Sequence, residues 1–250
     1  ILFAIGAKRH VVGVSNYDSY PPEVIQLPKV GGLVNPNLEK ILELEPELVV
    51  TYRTQFNLKK NLEEVGIQTY PFSHGSIHQM LDYILGLARI LKLNSEGQKL
   101  VEGILNELNS IQDHPLENRP RVLLVHSREL GSLGSFYSGG AESFFNELIE
   151  IAGGINIFDD VQDDSIQPSL EEILIREPSI IIELLPTNKD DPQHIALRMQ
   201  DWATLKTLPA VQRKNVHILA GDHLLLIGPR VHLSAHQFAE IIRNGRDKAN

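Results

Sequence analysis

Short aliphatic runs alternate with helical stripes in the N-terminal part of the chain. His10–Val14, Leu48–Val50 and Ile67–Tyr70 are aliphatic segments bounded by turn residues, and a helical pattern runs from Phe56 to Val65 before Gly66. Runs of this kind are typical of strands that are buried on both faces of a parallel sheet. We therefore predict strand–helix alternation, with a parallel sheet and helices on its faces.

Two long helices in succession interrupt this alternation in the middle of the chain. The first is predicted over 77–91, and the second begins at Asn94-Ser95, with Ser95 and Gln98 spaced as a capping box, and ends before Pro115. The second helix has one apolar stripe, formed by Leu100, Val101, Ile104, Leu105, Leu108 and Ile111. Its length is about 27 Å at 1.5 Å per residue, so it could join two lobes.

Alternation resumes after Pro120. A strand is predicted over 121–126, a helix over 141–152, a further strand over 215–219 and a terminal helix over 229–243. A Gly/Ser-rich loop that carries Phe136 and Tyr137 lies at 131–140. The second half of the chain is therefore expected to form an α/β lobe of its own.

One segment occurs twice. Residues 37–50 align without a gap on residues 169–182, and Leu, Glu, Ile, Leu, Glu and Pro recur at the same places. Each copy is predicted to form a capped short helix, a proline break and a buried strand, with Ser169 and Glu172 spaced as a capping box. A recurring helix-to-strand unit predicts an α/β fold made of two lobes of like construction, with a cleft between them.

Composition and charge exclude several classes of protein. The chain is 42% hydrophobic and 22% charged, which is ordinary for a globular protein, and its net charge is −9. Acidic residues are spread along the chain, which argues against nucleic acid or anionic lipid as the main partner. The absence of cysteine excludes disulfides, thiolate metal sites and cysteine nucleophiles. No apolar run approaches the length that spans a bilayer.

Several ordered motifs resemble one known family. They are Val12–Glu23 with its Tyr-Pro-Pro-Glu, Leu27–Gly32, Asn35–Ile41, Gly153-Gly154, Pro168–Glu171, Gly221-Asp222 and Gly228–Arg230. Together they resemble the cobalamin-binding branch of the substrate-binding proteins of ABC importers, and the likeness covers nearly the whole chain. It implies two Rossmann-like lobes with central, mostly parallel sheets joined by one long α-helix: residues 1–93, the linking helix 94–113, and residues 114–250.

The resemblance also implies a function and partners. A protein of this family captures cobalamin or a related corrinoid in the cleft, requires no cofactor, does no chemistry on the ligand and delivers it to a permease dimer. One glutamate from each lobe docks on permease arginines, and the matching positions are Glu39 and Glu171. We expect an exported monomer, either periplasmic or a cell-surface lipoprotein. The family's first strand has no counterpart here, so one cleft wall is expected to lie outside this sequence.

Ligand-binding candidates follow predicted strands, where ligands bind in open α/β sheets. The aromatic and imidazole candidates are Tyr17, Tyr20, Tyr52, Phe136, Tyr137 and His223, with Tyr20 and Tyr52 favoured by the resemblance. Asp222 and Arg230, which flank Gly228-Pro229, and Arg53 are polar candidates. Some of these rings could instead pack their own loops, and Asp222–Arg230 could be a surface pair of little energetic weight.

Other ligands and functions stay open. A ferric siderophore would need several cations at the cleft, where only Arg53 and Arg230 are well placed. Haem would need an axial ligand such as Tyr17, Tyr20 or His223. A metal-dependent enzyme could use the i, i+4 pairs His74/His78 and His232/His236, although common catalytic motifs are missing. A corrinoid carrier that works without a permease is a further alternative. Trp202 is expected to be a packing residue.

Overall fold

The protein is described by a computed structural model covering residues 1–111, 118–186 and 191–247, with the side chain of Asp247 left aside. The chain divides into two compact units. Unit 1 comprises residues 1–74 and 81–101, and unit 2 comprises residues 75–80 and the chain from Glu102 onward. Within the described ranges, no helix has the length and apolar character needed to cross a membrane.

Unit 1 contains a parallel pair of strands. Its elements are two 3-10 helices (Lys8–His10 and Pro22–Gln26), α1 (Leu38–Glu43), β1 (Leu48–Tyr52), α2 (Phe56–Glu64) and β2 (Gln68–Phe72). β1 pairs with β2 in parallel register from Leu48 opposite Gln68. Ile41, Leu58 and Leu62 form the buried centre of its small core. The strand–helix alternation predicted from the aliphatic runs is confirmed here.

The predicted strand at His10–Val14 is wrong. His10 belongs to the first 3-10 helix, and only Val14 makes a bridge, a parallel one with Lys29. Two valines next to a glycine have a high strand propensity, but a strand also needs a neighbouring strand to pair with. The chain here supplies only the single bridging residue.

Two long helices follow, α3 (Ile77–Ile90) and α4 (Asn94–Ile111), as predicted. The capping box at Ser95 is wrong: the Gly97 amide donates to the Leu93 carbonyl, so Ser95 lies inside the first turn. A Cβ on Gly97 would lie 2.5 Å from Cβ of Ala88, and this pair of small residues lets the two helices approach closely. The predicted end of α4 before Pro115 lies outside the described residues.

Unit 2 contains a parallel sheet and a small antiparallel one. Its strands are β3 (Arg121–Val125), β4 (Ser127–Arg128), β5 (Phe136–Gly139), β6 (Ile155–Asn156), β7 (Ser165–Ile166), β8 (Ile180–Leu185) and β9 (Val216–Ala220). Its helices beyond α4 are α5 (Phe144–Ile151), α6 (Leu170–Arg176), α7 (Pro192–Ala203), α8 (Pro209–Gln212) and α9 (Val231–Asp247). The parallel sheet has the order β6-β3-β8-β9, and the antiparallel one has the order β4-β5-β7. Every residue of β8 is buried, as expected for a central strand with both faces covered.

A buried charged network ties α7 to the sheet. Glu183 on β8 is 1% exposed, and its Oε2 accepts from Arg128 Nε at 3.0 Å and from Trp202 Nε1 at 2.7 Å. Its Oε1 accepts from Arg198 Nη1, and Arg128 Nη1 also donates to Asp201 Oδ2 at 2.7 Å. Trp202 is fully buried in the unit's core, so its prediction as a packing residue is confirmed. Two cations and two carboxylates balance inside this network, which is the condition for burying charge.

The two copies of the repeat have the same local structure. Asn37 Oδ1 accepts from the Lys40 amide at 2.9 Å at the start of α1, and Ser169 with Glu172 forms both arms of a capping box at the start of α6. The strands that follow belong to different sheets: β1 pairs with β2, whereas β8 lies between β3 and β9. The α/β fold with two like-built parts, predicted from the repeat, is therefore confirmed.

Candidate functional site

Unit 1 carries an aromatic surface at the carboxyl end of its two strands. Tyr52 ends β1, Phe72 ends β2, and His74 follows two residues later. The Tyr52 ring lies 5.6 Å from Phe72 edge-on and 5.5 Å from the His74 ring. We call Tyr52, Phe72 and His74 the unit 1 wall. Parallel strands end at one edge of their sheet, which is where ligands bind in this class of fold.

Two tyrosines support this wall from inside the unit. The Tyr83 ring on α3 is 4.9 Å from Phe72 and 4.7 Å from Tyr70. Burial raises the pKa of Tyr83 well above its ordinary value, so its hydroxyl stays protonated. A Cβ on Gly86 would lie 2.1 Å from the Tyr70 hydroxyl, so the close packing of Tyr70 against α3 requires glycine there.

The loop before the second 3-10 helix carries two predicted ligand residues. Tyr17 is 80% exposed and Tyr20 is 55% exposed, so both rings are available to a ligand. Burial, and then the charge of the Asp18 carboxylate in this loop, raise the pKa of Tyr52. Arg53, directly after β1, is also exposed.

Unit 2 carries a second aromatic surface at the carboxyl end of β3. The His126 ring stacks on Phe145 at 5.5 Å with 17° between the planes, and the Tyr137 ring lies 6.2 Å away. The His126 amide donates to the Tyr137 carbonyl at 3.0 Å, which holds β5 against this end of β3. We call His126, Tyr137 and Phe145 the unit 2 wall. Tyr137 is 44% exposed.

His126 is held as a neutral imidazole near pH 7. Burial lowers its pKa, opposed by a hydrogen bond to the Ser138 backbone and by the charge of Asp164. Its Nε2 lies 3.4 Å from Ser165 Oγ, a long contact at an exposed place. A neutral imidazole with one nitrogen facing outward can accept a hydrogen bond or bind a metal.

Phe136 requires a correction. Its side chain is fully buried and packs edge-on against Trp202 at 6.1 Å, within the core of unit 2. The prediction that Phe136 contacts ligand is therefore wrong. Neighbouring residues of a strand point to opposite faces, so in β5 Phe136 enters the core and Tyr137 faces outward.

The polar candidates at the carboxyl end of β9 form a cluster. Arg230 Nη1 donates to Asp222 Oδ1 at 2.9 Å, and each of the two side chains is about one-fifth exposed (21% and 22%). His223 Nε2 lies 3.3 Å from Gln237 Oε1, and its Nδ1 lies 3.8 Å from Asp222 Oδ1. The partial exposure leaves these groups within reach of a ligand at this end of the sheet.

The two glutamates of the repeat occupy equivalent and exposed positions. Glu39 lies in the first turn of α1 and Glu171 in the first turn of α6, and both are exposed. Leu42 and Leu174, one turn further on, are also equivalent and are 37% and 38% exposed. Each unit thus presents a carboxylate beside an apolar side chain. Sequence reasoning identified the glutamates but not the leucines.

The paired histidines do not make a metal centre. His74 precedes the start of α3 at Ile77, so it shares no helical face with His78 and that prediction is wrong. His232 and His236 both lie on α9, where His236 Nε2 is 3.0 Å from Glu107 Oε2. Across residues 1–111, 118–186 and 191–247, no three His, Asp or Glu side chains are grouped to hold a metal ion.

Four residues of the two walls were missed as ligand candidates: Phe72, His74, His126 and Phe145. The signal for Phe72, His74 and His126 was their position, since each ends or follows a strand at its carboxyl end. Phe145 lies on α5, and nothing local in the sequence connects it with His126. A shallow depression lined by Phe3, Arg9, Val11 and neighbouring residues contains none of the predicted ligand residues.

Comparisons with known proteins place the chain in a family. The sequence profile of the periplasmic binding protein family matches residues 1–222. The vitamin B12-binding protein of Salmonella paratyphi A is 28% identical over 237 residues, 92% of this chain and 82% of that protein.

Two solved structures show the same fold. The periplasmic vitamin B12-binding protein BtuF of Vibrio cholerae has a TM-score of 0.79 at 24% identity, covering 98% of this chain and 92% of that one. The periplasmic haem-binding protein HutB of the same organism has a TM-score of 0.79 at 23% identity, covering 97% and 93%. With two α/β units, the repeated helix-to-strand segment and the profile match over most of its length, the chain belongs to the periplasmic binding protein family.

Proposed function

We propose that this protein is the substrate-binding receptor of an ABC importer and that its ligand is cobalamin or a related corrinoid. The observation that carries the proposal is the pair of aromatic walls, one at the carboxyl end of the strands in each unit. Large planar ligands gain affinity from such rings, because each ring buries a large area at a low entropy cost. The vitamin B12-binding relatives in Vibrio and Salmonella support the corrinoid assignment.

The ligand contacts we propose come from both units. In unit 1 they are Tyr17, Tyr20, Tyr52 and Arg53, together with Phe72 and His74 of the unit 1 wall. In unit 2 they are Tyr137, Asp222, His223 and Arg230, together with His126 of the unit 2 wall, whose ring Phe145 supports from below. Aromatic faces would hold the macrocycle, and the Asp222–Arg230 pair would hold its polar edge.

Delivery would use the repeated glutamates. Glu39 and Glu171 each place an exposed carboxylate on a short helix at the same point of the repeat. A permease dimer has two equivalent halves. One carboxylate from each unit could therefore pair with a basic surface on each half. We propose a monomeric receptor that acts outside the cytoplasmic membrane, needs no cofactor and catalyses no reaction.

We propose the same division of the chain as the sequence predicted: residues 1–93, a linking helix over 94–113, and residues 114–250. The last of the boundaries between the two units, Val101–Glu102, lies inside α4, which supports a helical link. Bending a continuous helix breaks its backbone hydrogen bonds, so we expect little closure on binding.

Haem is the second candidate ligand, and one observation favours it. The unit 1 side offers exposed Tyr17 and Tyr20, and phenolate and imidazole are both axial ligands of haem iron. A ferric siderophore would need several cationic side chains at its site. Arg230 is already paired with Asp222, so Arg53 is the one remaining cation of the two that are well placed.

Equilibrium titration with cyanocobalamin and with haemin tests the proposal. We expect saturable cyanocobalamin binding that weakens by about tenfold or more in Tyr52→Ala and in Tyr137→Ala, because each removes a whole ring from a wall. The matched variants Tyr52→Phe and Tyr137→Phe keep the ring and should bind nearly as wild type does. Haemin binding without any cyanocobalamin binding would overturn the corrinoid assignment.

A further inference from the structure

The six identities shared by the two copies of the repeat fall into two groups. In each copy the first leucine packs against the core of its unit, and the isoleucine lies inside that core. These residues are Leu38, Ile41, Leu170 and Ile173. The glutamate before each proline has positive φ, and the proline cannot continue the helix. Core packing and the end of the helix therefore explain four identities, and two are left: Glu39 with Glu171, and Leu42 with Leu174.

The leucine of this second group is exposed to the same extent in both copies. Leu42 is 37% exposed and Leu174 is 38% exposed. Equal exposure is not automatic at equivalent positions, since Val50 is 42% exposed whereas its counterpart Ile182 is fully buried. Single exposed leucines are common on protein surfaces. The recurrence of this one in a second unit is not explained by the core of either unit.

Each of these leucines lies beside a carboxylate. Because positions i and i+3 of a helix are neighbours, Leu42 lies next to Glu39. The same spacing places Leu174 next to Glu171. Within the part of the chain that the structure describes, neither carboxylate makes an ion pair or a hydrogen bond, whereas the adjacent Glu172 is used in the capping box. Each helix therefore presents an unpaired negative charge with an apolar side chain next to it.

Two such faces fit a partner with two equivalent basic surfaces. Carboxylates that are unpaired within their own chain are complementary to cations on another protein. A second copy of this chain is a poor partner, because its net charge is also −9 and like charges repel. An ion pair that stays in water contributes little to affinity, whereas apolar contacts around it exclude water. The leucine next to each carboxylate can provide such a contact.

We propose that Leu42 and Leu174 bind the permease, each in an apolar depression beside the basic group that pairs with Glu39 or Glu171. This inference rests on the proposed function, which assigns the two glutamates to docking. It adds the chemistry of the partner, which presents one cation and one apolar depression on each half. The glutamates supply charge complementarity, and the leucines supply the part of the affinity that salt does not screen.

Binding of the protein to the ABC importer of the same cell, reconstituted in phospholipid nanodiscs, tests the inference. We expect Leu42→Ser and Leu174→Ser each to weaken binding by about tenfold, because each removes one apolar contact. Methionine at either position keeps the apolar volume and should restore binding. Leu197→Ser is the matched control, since Leu197 is 40% exposed on α7, outside the repeat, and its loss should leave binding unchanged.

Salt separates the leucines from the glutamates. Raising NaCl from about 0.1 M to about 0.5 M screens exposed ion pairs, so the effects of Glu39→Gln and Glu171→Gln should shrink. The effects of Leu42→Ser and Leu174→Ser should persist, because apolar contacts are not screened. Every variant should keep the unfolding temperature and the cyanocobalamin affinity of wild type, which separates loss of docking from misfolding and from loss of ligand.

Three results would overturn the inference. Unchanged importer binding in both leucine-to-serine variants, with weakened binding in the glutamate variants, would refute it and leave the proposed docking role of the glutamates intact. Folded wild-type protein that does not bind the importer would refute both proposals. A wild-type dimer in analytical ultracentrifugation that both serine variants dissociate would assign the two faces to a second copy of this chain instead.

Discussion

Glu45 and Glu177 have the same left-handed backbone conformation, with φ of 46° and 47°, at equivalent positions of the two repeated segments. Each stands directly before the proline of its copy, Pro46 or Pro178. A residue before proline is disfavoured in the right-handed helical region, so the helix must end there. The repeat therefore preserves a backbone turn as well as a sequence, and this turn leads the chain from α1 into β1 and from α6 into β8.

Substitutions at Glu177 should reveal the strain of this turn. Glu177→Gly is expected to leave the free energy of unfolding unchanged or to raise it by up to about 1 kcal/mol, because glycine adopts positive φ without cost. Glu177→Val should lower it by about 1–2 kcal/mol, because a β-branched side chain is poorly tolerated there. Urea denaturation measures both.

A control lies in the same helix. Ile175 is 80% exposed within α6, where glycine should lower the free energy of unfolding by about 1 kcal/mol. The expected result is a loss of stability in Ile175→Gly and either no change or a gain in Glu177→Gly. A loss of equal size at both positions would show that the left-handed turn is not strained.

The buried carboxylate of Glu183 should dominate the stability of unit 2. Glu183→Gln leaves Arg128 and Arg198 without their shared negative charge, and removing one partner of a buried charge network typically costs about 3–5 kcal/mol. Asp160→Asn is the control, since Asp160 pairs with Arg176 at the surface and its loss should change stability little. Thermal unfolding that is equally affected by both would contradict the assignment of Glu183 as a structural centre.

Transport should depend on both repeated glutamates. Glu39→Ala and Glu171→Ala are each expected to slow uptake of labelled cobalamin, and together to reduce it by about tenfold or more, because the proposed basic permease surface loses its counter-charges. Glu43→Ala, an exposed carboxylate on the same helix as Glu39, is the matched control. Ligand affinity should stay the same in every variant, and unchanged uptake in the double variant would remove the docking role.

Acid should destabilise the fold partly through His126. Its folded-state pKa is lowered from the ordinary value of 6.5, chiefly by burial, so the unfolded chain binds the proton more readily. Its contribution to stability is present above pH 6.5 and is lost as the pH falls through the lowered pKa. The unfolding temperature of His126→Phe should therefore fall less than that of wild type between pH 7 and pH 5. An equal fall in both proteins would refute the shift.

Local signals in the sequence predicted most of the fold. Aliphatic runs bounded by turns located β1, β3, β8 and β9, and the capping residues Asn37 and Ser169 located the starts of α1 and α6. Aliphatic runs and capping residues act on residues close to them in the sequence, so they can be recognised in a single sequence. The strand at His10–Val14 failed because pairing depends on a distant segment.

The site was harder to predict because its contacts join distant residues. The sequence alone does not tell which of Phe136 and Tyr137 faces the core. The pairing of β5 with β4 and β7 decides it: Phe136 is buried and Tyr137 is exposed. His126 stacks on Phe145 from another element, and Glu183 meets Arg128 and Arg198 from two others. The spacing of residues in the sequence does not predict these contacts between distant segments. Glu39 and Glu171 could be identified because they occupy the same position in the two copies of the repeat.

Calorimetric titration of the wild-type protein with cyanocobalamin tests the central claim, a corrinoid receptor with aromatic walls, most directly. The account predicts saturable binding at one corrinoid per chain, with quenching of the fluorescence of Trp202 as an independent signal. Absence of corrinoid binding by folded protein, with saturable binding of haemin under the same conditions, would contradict it.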